Sequence, residues 1–345
     1  MKCEIEESRS FSPWISASVP GKILVIRLQA IGDVVVTLPA CFALRQMFPD
    51  ARIDLLTSDA CLGIPRAIRL FDRVHSLAQS RRRWIRAWRV LTQGTRMRGE
   101  HYDVIIDLQR HRASRFIRRI ARPRAWGEFD RFSPRHSLER VIDTFHQTGF
   151  SDLEPVFELD LKAETMERAL RILQECGWDG TTKLVILNPA GLWVTRNWPL
   201  PCWEELANLW SDIEPVRFLF LGTSRIDDRV SYLSGKLARR AISLINRTTL
   251  AEALGVLQHA SVVISEDSGL LHMAWVSGIP TVALFGSTRS DWTRPLGKWS
   301  RYVASEDLPC GACMEATCRF GDVHCLSRHS AATILQLARE AERGS

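Results

Sequence analysis

Short apolar runs that recur between helical segments are the feature of this sequence that most limits its fold. Several runs are apolar at nearly every position, which is typical of parallel strands buried on both faces. Because strand and helix alternate, we expect an α/β fold of doubly wound parallel sheets. The predicted strands are Ile23–Arg27, Ile53–Thr57, Val104–Leu108, Leu184–Asn188, Phe218–Gly222, Val262–Ser265 and Thr281–Phe285.

The alternation runs through the chain twice, which predicts two domains, and a length of 345 residues favours the same division. The first set of strands ends near 157–161, and an amphipathic helix is expected over 162–177. We therefore expect domains at 1–160, with a loose leader at 1–20, and at 161–345, with a C-terminal helix packed back on the first domain. Ligands of open parallel sheets bind at the carboxyl ends of strands, so we expect a cleft between two facing sheets.

The composition is that of a globular protein, with 46% apolar and 25% charged residues. No apolar run reaches the roughly 18 residues of a membrane-spanning helix. The opening segment has three glutamates and no apolar core of a secretory signal, so we expect a cytoplasmic protein.

Positive charge is concentrated in the first half of the chain. The net charge is +7, and between Arg66 and Arg140 there are 20 basic residues against 7 acidic ones, which predicts an anionic partner. An arginine-rich stretch with two tryptophans fits a membrane-facing helix, a solvated helix face or a nucleic-acid contact. Its residues are Arg81, Arg82, Arg83, Trp84, Arg86, Trp88 and Arg89.

A lone carboxylate, Asp33, stands where the first predicted strand meets a helix, inside an otherwise apolar segment at 23–40. One interpretation is a helix cap, because an aspartate there satisfies free backbone N–H groups. The other is a functional carboxylate at the mouth of the cleft. Gly32 beside it allows close approach of a substrate to the backbone.

The segment 262–287 predicts a strand, a turn and a helix whose start could bind phosphate. Ser268 and Gly269 are small, so N–H groups at the helix start stay open to an anion. Asp267 would repel a bare phosphate but could bind sugar hydroxyls. His272 either supplies a proton or a hydrogen bond, or is a structural histidine.

The segment 188–199, which follows a predicted strand, reads as a loop because it contains Pro189, Gly191 and Pro199. Arg196 is its only charged residue. A guanidinium at a cleft mouth suits a diphosphate, since its fork makes paired, charge-assisted hydrogen bonds. The alternative is a solvated loop arginine.

Four cysteines near the C-terminus have the spacing C-x2-C-x4-C-x6-C. Four thiolates so close together predict a structural zinc or iron site, with His324 as a competing ligand and reduced free thiols as the alternative. A catalytic metal is not expected there, because four thiolates leave no open coordination position. The residues are Cys310, Cys313, Cys318 and Cys325.

In their order along the chain these segments resemble glycosyltransferase family 9, the ADP-heptose:lipopolysaccharide heptosyltransferases. The cysteine cluster resembles that of the second heptosyltransferase branch, which adds heptose to heptose. The matching segments are KILVIRLQAIGDVVVTLPA, VIIDLQ, GEFDRFSPRHSLER, NPAGLWVTRNWP, FLFLGTS and ISEDSGLLHMAWVSGIPTVALFGST, which lie between residues 22 and 325.

The resemblance implies a GT-B fold, in which a first Rossmann-like domain binds the acceptor and a second binds the nucleotide-sugar. It implies inverting transfer of heptose from ADP-heptose, without a catalytic metal, to an anionic lipopolysaccharide inner core at the inner membrane. It makes Asp33 the general base and sets Arg196 against the donor diphosphate. Further donor residues would be Gly191, Ser224, Thr248, Asp267, Ser268, Gly269 and His272, and acceptor residues Gly32, Arg110 and His136.

One departure concerns the loop after the second domain's first strand, where family members often carry hydroxyl residues. Ala190 and Gly191 stand there in this chain, so backbone amides would have to replace those hydroxyls at the diphosphate.

Other interpretations stay open. A family 9-like enzyme could use another nucleotide-sugar or another acceptor. A nucleotide-sugar 2-epimerase shares the double Rossmann plan, but its acid and histidine signatures are not found in matching order. A nucleic-acid-binding protein would leave the donor motif unexplained. A hydride-transferring enzyme would need a G-x-G-x-x-G after the first strand, where this chain has Leu28–Gly32.

Overall fold

The computed structural model describes residues 11–16 and 18–344. The chain divides into two compact units, Met1–Val156 and Phe157–Ser345, just before the expected boundary near 160. Each unit contains one six-stranded sheet with flanking helices. The α/β class predicted from the alternating apolar runs is therefore confirmed.

The sheet of the first unit is parallel except at one edge. Its strand order is β1-β6-β5-β2-β3-β4, and only β1 runs antiparallel to its neighbour. The strands are β1 (Phe11–Ser12), β2 (Lys22–Ile26), β3 (Arg52–Ser58), β4 (Arg73–Leu77), β5 (Val104–Asp107) and β6 (Ala125–Glu128). The helices are α1 (Ile31–Met47), α2 (Gly63–Ala67), α3 (Arg83–Glu100), α4 (Arg112–Ala121) and α5 (Ser137–Gln147).

Part of the segment expected to be a loose leader is ordered in this sheet. Phe11 pairs with Gly127 of β6, and the Trp14 N–H donates to the Thr148 carbonyl at 2.8 Å. Residues 1–10 of the expected leader lie outside the described residues. A strand of two residues carries almost no periodic signal, which is why the sequence did not predict it.

The sheet of the second unit is parallel throughout, in the order β12-β11-β10-β7-β8-β9. The strands are β7 (Lys183–Asn188), β8 (Val216–Gly222), β9 (Ala241–Ile245), β10 (Val262–Glu266), β11 (Thr281–Leu284) and β12 (Ser300–Val303). The helices are α6 (Ala163–Glu175), α7 (Leu200–Ser211), α8 (Asp227–Leu237), α9 (Leu250–Leu257), α10 (Gly269–Val276), α11 (Ser290–Thr293), α12 (His324–Ser327) and α13 (Ala331–Gly344). Helix α13 packs on α7 and on strands β10 to β12 of its own unit.

Every run predicted as a strand forms one, and the strands that the sequence missed are edge or near-edge strands. Strands β4 and β12 each lie at an edge and read RVHSL and SRYV. An edge strand exposes part of its surface, so it mixes polar with apolar residues and loses the continuous apolar signal. Central strands such as β2, β5 and β10 are buried almost completely and show that signal clearly.

A buried carboxylate in β3, Asp54, links two strands, β3 and β4, and the loop before β5. Its Oδ2 accepts hydrogen bonds from the Tyr102 hydroxyl at 2.5 Å and from Arg52 Nη2 at 2.5 Å, and lies 3.3 Å from His75 Nε2. Burial raises the pKa of Asp54, but the hydrogen bonds from His75, Arg52 and Tyr102 outweigh burial and hold the pKa below its ordinary value. The carboxylate therefore stabilises the fold in its ionised form.

We expect Asp54→Asn to lower the free energy of unfolding of the first unit by about 2–3 kcal/mol, because hydrogen bonds to an ionised group are lost. A carboxylate whose pKa is lower in the folded protein than in the unfolded chain stabilises the fold at pH values above the unfolded pKa, near 3.9. This stabilisation is lost as the pH falls below that value. The difference in unfolding free energy between the variant and wild type, measured by urea denaturation, should therefore be largest at pH 7 and should shrink below about pH 4. The exposed Asp50→Asn is the control, and a difference that is equal at pH 7 and pH 3 would contradict this role.

Candidate active site

Asp33 lies in the first turn of α1, at the carboxyl end of the central strand β2. The residue that caps the helix is Ala30, and the Asp33 carboxylate reaches back to accept its N–H at 2.9 Å. The same oxygen, Oδ2, lies 3.0 Å from Nη2 of Arg27. The side chain is 49% exposed, so the carboxylate both supports the helix start and remains open to a ligand.

A cavity of about 230 Å³ opens beside Asp33, and its walls are strongly basic. Arg27, Arg131 and Arg140 line it together with the carboxylate of Asp33. The guanidiniums of Arg27 and Arg140 lie 4.9 and 5.2 Å from the ring centre of Phe129, so both form cation–π contacts with the same ring. Burial, and next the charge of Arg27, lower the pKa of Arg140. One carboxylate among three guanidiniums leaves a cavity suited to an anion.

Gln109 shapes the loop that leads into Asp33. Its Oε1 accepts the N–H groups of Leu28 and Gln29 at 2.9 and 3.2 Å, so it fixes the backbone between β2 and α1. Gln109 belongs to the VIIDLQ segment, but the sequence analysis gave it no role. Arg27, Arg131 and Arg140 were missed in the same way, although they stand within segments that carry the family resemblance.

Two residues expected to bind the acceptor are used by the fold of the first unit. Arg110 forms ion pairs with Glu128 at 3.2 Å and with Asp130 at 2.9 Å. His136 is buried at the start of α5, where its Nδ1 accepts the Leu138 N–H at 3.2 Å. Gly32 lies in the first turn of α1 beside Asp33. Acceptor binding by these three residues stays a prediction.

In the second unit the predicted donor residues gather at the carboxyl ends of neighbouring strands. Gly191 and Arg196 follow β7, Asp267 and Ser268 follow β10, and Ser224 follows β8. Thr248 follows β9, the next strand in the sheet. Parallel strands bring their carboxyl ends to one edge of a sheet, which is where such sheets bind ligands.

Arg196 ends a short 3₁₀ turn, Val194–Arg196, and its charge is already paired. Its Nη1 lies 3.2 Å from Oδ2 of Asp267, and its guanidinium stacks 4.2 Å from the ring centre of Trp193. Asp267 Oδ2 also accepts the hydroxyl of Thr288 at 2.8 Å. The arginine and the acid, predicted separately from two segments, therefore meet directly.

The start of α10 is built by a cap from Ser268. The Ser268 hydroxyl accepts the Leu271 N–H at 3.5 Å and the side-chain amide of Asn188 at 2.8 Å. Gly269 is the first helical residue, is exposed, and has open space where a side chain would be. The helix start can therefore receive an anionic group through its N–H groups.

His272 is mostly buried within α10 and accepts the indole N–H of Trp275 at 3.1 Å on its Nδ1. A neutral ring that accepts on Nδ1 carries its proton on Nε2. Ser224 is exposed at the strand end, where its N–H donates to Asn246 at 2.9 Å, and Thr248 is half-buried. Contact of these residues with a nucleotide stays a prediction.

The metal site predicted for the four clustered cysteines near the C-terminus finds no support in the structure. They line one cavity of about 760 Å³ as free thiols. Burial and then the neighbouring Cys318, Cys313 and Cys310 raise the pKa of Cys325. Among residues 11–16 and 18–344, however, no group of three or more Cys, His, Asp or Glu side chains can hold a metal ion. The spacing predicted proximity but not ligand geometry.

Two such units, each a Rossmann-like sheet, are the architecture of GT-B glycosyltransferases, and solved structures of this class match the chain. An Escherichia coli ADP-heptose lipopolysaccharide heptosyltransferase II matches with a TM-score of 0.73 and 18% identity, over 93% of this chain and 98% of that one. The Escherichia coli heptosyltransferase WaaC with ADP matches with a TM-score of 0.70 and 20% identity, over 93% and 99%.

Sequence comparison then gives the family. The model of glycosyltransferase family 9 (heptosyltransferase) matches residues 90–324. Lipopolysaccharide heptosyltransferase 1 of Pseudomonas aeruginosa is 28% identical over 87% of this chain and 88% of its own length. The chain therefore belongs to glycosyltransferase family 9 and is a glycosyltransferase, as its motifs predicted. Similar proteins come from both heptosyltransferase branches, so membership of the second branch stays a prediction.

Proposed function

We propose that this enzyme transfers a heptose from ADP-heptose to an anionic sugar of a lipopolysaccharide inner core, with inversion and with Asp33 as general base. The observation that carries the proposal is the half-exposed Asp33 carboxylate beside a basic cavity, in a chain of a heptosyltransferase family. Relatives named lipopolysaccharide heptosyltransferases, and a related structure with ADP-2-deoxy-2-fluoro heptose, support the choice of donor and acceptor.

In this reaction the acceptor hydroxyl oxygen attacks the anomeric carbon as the bond from that carbon to the diphosphate oxygen breaks. The hydroxyl proton passes to Asp33, and ADP leaves from the opposite face, which inverts the anomeric configuration. Oδ2 of Asp33 already contacts Arg27 and Ala30, whereas Oδ1 forms no hydrogen bond or ion pair with the described residues. Oδ1 is therefore the atom that we assign to the proton.

The leaving diphosphate gains negative charge as the bond breaks, and the second unit offers positive groups for it. Arg196 supplies a guanidinium, and the start of α10 supplies N–H groups and the positive end of its dipole. We propose that these groups take the place of a catalytic metal. Arg196 would then exchange its contact with Asp267 for the diphosphate, which frees the Asp267 carboxylate for a sugar hydroxyl.

We expect Asp33→Asn to reduce kcat by about 10²–10⁴-fold, because a general base typically contributes that much. Asparagine can still accept the Ala30 N–H, so the helix start should survive and the affinity for ADP should be unchanged. Turnover is measured as ADP release, and ADP affinity by calorimetry. Asp50→Asn is the matched control on the surface of the same unit. Turnover by Asp33→Asn within a few-fold of wild type would remove Asp33 from the mechanism.

The basic cavity suggests how the acceptor is recognised. Arg27, Arg131 and Arg140 line it, and Asp33 is the one carboxylate among its lining residues, so an acceptor that brings its own carboxylate or phosphate would balance the charge. The guanidinium of Arg27 already donates a hydrogen bond to the Leu108 carbonyl and forms an ion pair with Asp33. Neither Arg131 nor Arg140 forms an ion pair within the described part of the chain, and Arg140 is the half-buried one of the two, with the charges of Asp33 and Asp130 acting on it without direct contact, which makes it the first choice as an anion ligand.

We expect Arg140→Met to raise the acceptor KM by about 10- to 100-fold, since a hydrogen bond to a charged group contributes roughly 1.5–3 kcal/mol. The donor KM should not change. A water-soluble inner-core oligosaccharide with a carboxylate is the test acceptor, and Arg119→Met, which removes an exposed arginine of α4, is the control. An unchanged acceptor KM would exclude Arg140 from acceptor binding.

We also infer that a groove between α3 and α4, the aromatic groove, contacts an anionic membrane. Its walls include Trp84 and Trp88, which are 69% and 64% exposed, together with Leu91 and Phe116. Its volume is about 1200 Å³. Large exposed aromatic side chains of this kind mark an interaction surface. No helix in the described part of the chain is long and apolar enough to cross a membrane.

Charge indicates what binds the aromatic groove. Within residues 11–16 and 18–344, the arginines at or beside it form no ion pair; they are Arg81, Arg82, Arg83, Arg86, Arg89 and Arg112. Each basic residue near an anionic membrane contributes about 1 kcal/mol, and tryptophan favours the interface. Arg86 and His111 line both this groove and a cavity of about 140 Å³ that reaches Gln109, which also lines the Asp33 cavity. A glycolipid could therefore occupy both places.

We expect the double variant Trp84→Ala, Trp88→Ala to bind vesicles with anionic phospholipid at least tenfold more weakly than wild type. The variant should keep its turnover with the water-soluble acceptor, because the groove lies outside the Asp33 cavity. Phe320→Ala removes an equally exposed aromatic side chain of the second unit and serves as the control. Binding is measured by sedimentation with anionic and with neutral vesicles, and equal binding to both would overturn the proposal.

A further inference from the structure

Glu266, the last residue of β10, is a carboxylate with no exposure to solvent and has no part in the mechanism proposed above. A buried carboxylate is costly unless hydrogen bonds or a counter-charge satisfy it. It stands directly before Asp267, the acid that pairs with Arg196. Its contacts therefore bear on the geometry of the donor residues.

The carboxylate binds both ends of the loop that carries Arg196. Oε2 accepts the N–H of Gly191 at 2.6 Å, and Oε1 accepts the N–H of Trp198 at 2.7 Å. The side-chain amide of Asn197, in the orientation that satisfies its hydrogen bonds, donates to Oε2 at 3.0 Å. Three donors from one loop therefore converge on a single side chain.

A second residue, Arg229 of α8, holds the carbonyl groups of the same loop. Its Nε donates to the Pro189 carbonyl at 3.1 Å, and its Nη2 donates to the Trp198 carbonyl at 3.0 Å. Nη2 also lies 2.9 Å from Oε1 of Glu266. The acid binds N–H groups of the loop, the arginine binds its carbonyl groups, and an ion pair joins the two.

The loop has no space for a side chain at Gly191. A Cβ added there would lie 2.5 Å from the side-chain amide of Asn197 and 2.7 Å from the Arg196 carbonyl oxygen. The backbone of Gly191 is thus packed against the backbone of Arg196. Any movement of Gly191 away from Glu266 would shift the arginine.

We propose that Glu266 is a positioning residue for donor binding, which acts by holding the loop 189–198 so that Arg196 faces the donor diphosphate. The inference rests on the role proposed above for Arg196. In this proposal Glu266 contacts neither ADP nor the sugar, but it holds Arg196, which contacts the diphosphate. Glu266 and Arg229 together make the arginine loop rigid before the donor arrives, so little ordering is needed on binding.

The charge state of Glu266 gives the proposal a distinctive readout. Burial raises the pKa of Glu266 to about 7, against the charge of Arg229 and the N–H groups of Gly191 and Trp198, which lower it. The charged groups near Glu266 are Arg229 of α8 and the Arg196–Asp267 pair. The neighbouring strands β7 and β11 end in the uncharged residues Asn188 and Leu284, and α7 contributes the uncharged Trp203. Protonation would turn one acceptor oxygen into a donor and release one loop N–H. Donor affinity should therefore fall as the pH drops below about 7.

We expect Glu266→Gln to raise the KM for ADP-heptose about tenfold, because one of two acceptor oxygens is replaced by a donor and a hydrogen bond of roughly 1.4 kcal/mol is lost. The value of kcat should fall only a few-fold, because Arg196 also stabilises the charge that develops on the leaving diphosphate, whereas loss of the general base Asp33 lowers kcat by about 10²–10⁴-fold. The wild-type KM should rise several-fold from pH 8 to pH 6, and the glutamine variant should lose that dependence. Glu214→Gln, at a carboxylate bound by Lys183 and Arg339, is the control.

A double-mutant cycle separates this proposal from the role of Arg196. If Glu266 acts through Arg196, then Glu266→Gln should have almost no further effect on donor KM in the Arg196→Ala background. Additive effects, or a wild-type KM and pH profile in Glu266→Gln, would overturn the positioning role. An unchanged KM in Arg196→Ala alone would instead refute the proposed function of the arginine. If Glu266→Gln folds poorly, Arg229→Lys should raise the donor KM while keeping its pH dependence, and an unchanged KM there would count against the proposal.

Discussion

A parallel sheet buries its central strands on both faces, and this constraint decides where the chain can carry chemistry. Interior positions of β2, β5, β7 and β10 must be apolar, so polar groups collect where these strands end. Asp33 follows β2, and Arg196 and Asp267 follow β7 and β10. The connections after β2 and β10 are short, and the longer loop after β7 is held by Glu266 and Arg229, so the side chains at these ends lie close to fixed backbone. Both candidate sites depend on that arrangement.

Each site holds its key charge in an ion pair that does not neutralise it fully. Asp33 contacts Arg27, yet half of its side chain is exposed and three guanidiniums surround its cavity. Arg196 contacts Asp267, and the aromatic ring of Trp193 covers its other face. Such pairs keep the side chains in place without a ligand. They can then exchange one partner for a charged group of a substrate at small cost in ordering.

Residues that look alike in sequence have different uses in the structure. Arg110 and Arg140 both belong to the arginine-rich region, but Arg110 is bound by Glu128 and Asp130, whereas Arg140 lines the Asp33 cavity.

His136 was predicted to bind the acceptor and caps a helix. The cysteines were predicted to bind a metal, and they line one cavity without a ligand arrangement. Glu266 and Asp267 are adjacent acids, yet only the first is buried completely. A one-dimensional pattern cannot show which partner reaches a charged side chain.

The sequence by itself determined the α/β class, seven of the strands, the carboxylate at the end of the first strand and the small residues at the start of α10, because each is a local pattern of apolar and polar residues. Only the tertiary structure decided which arginines face Asp33, that Arg196 meets Asp267, and that Glu266 holds the arginine loop at both ends. Those contacts join residues far apart in the chain. Their formation depends on strand order and on burial, and neither can be read from spacing alone.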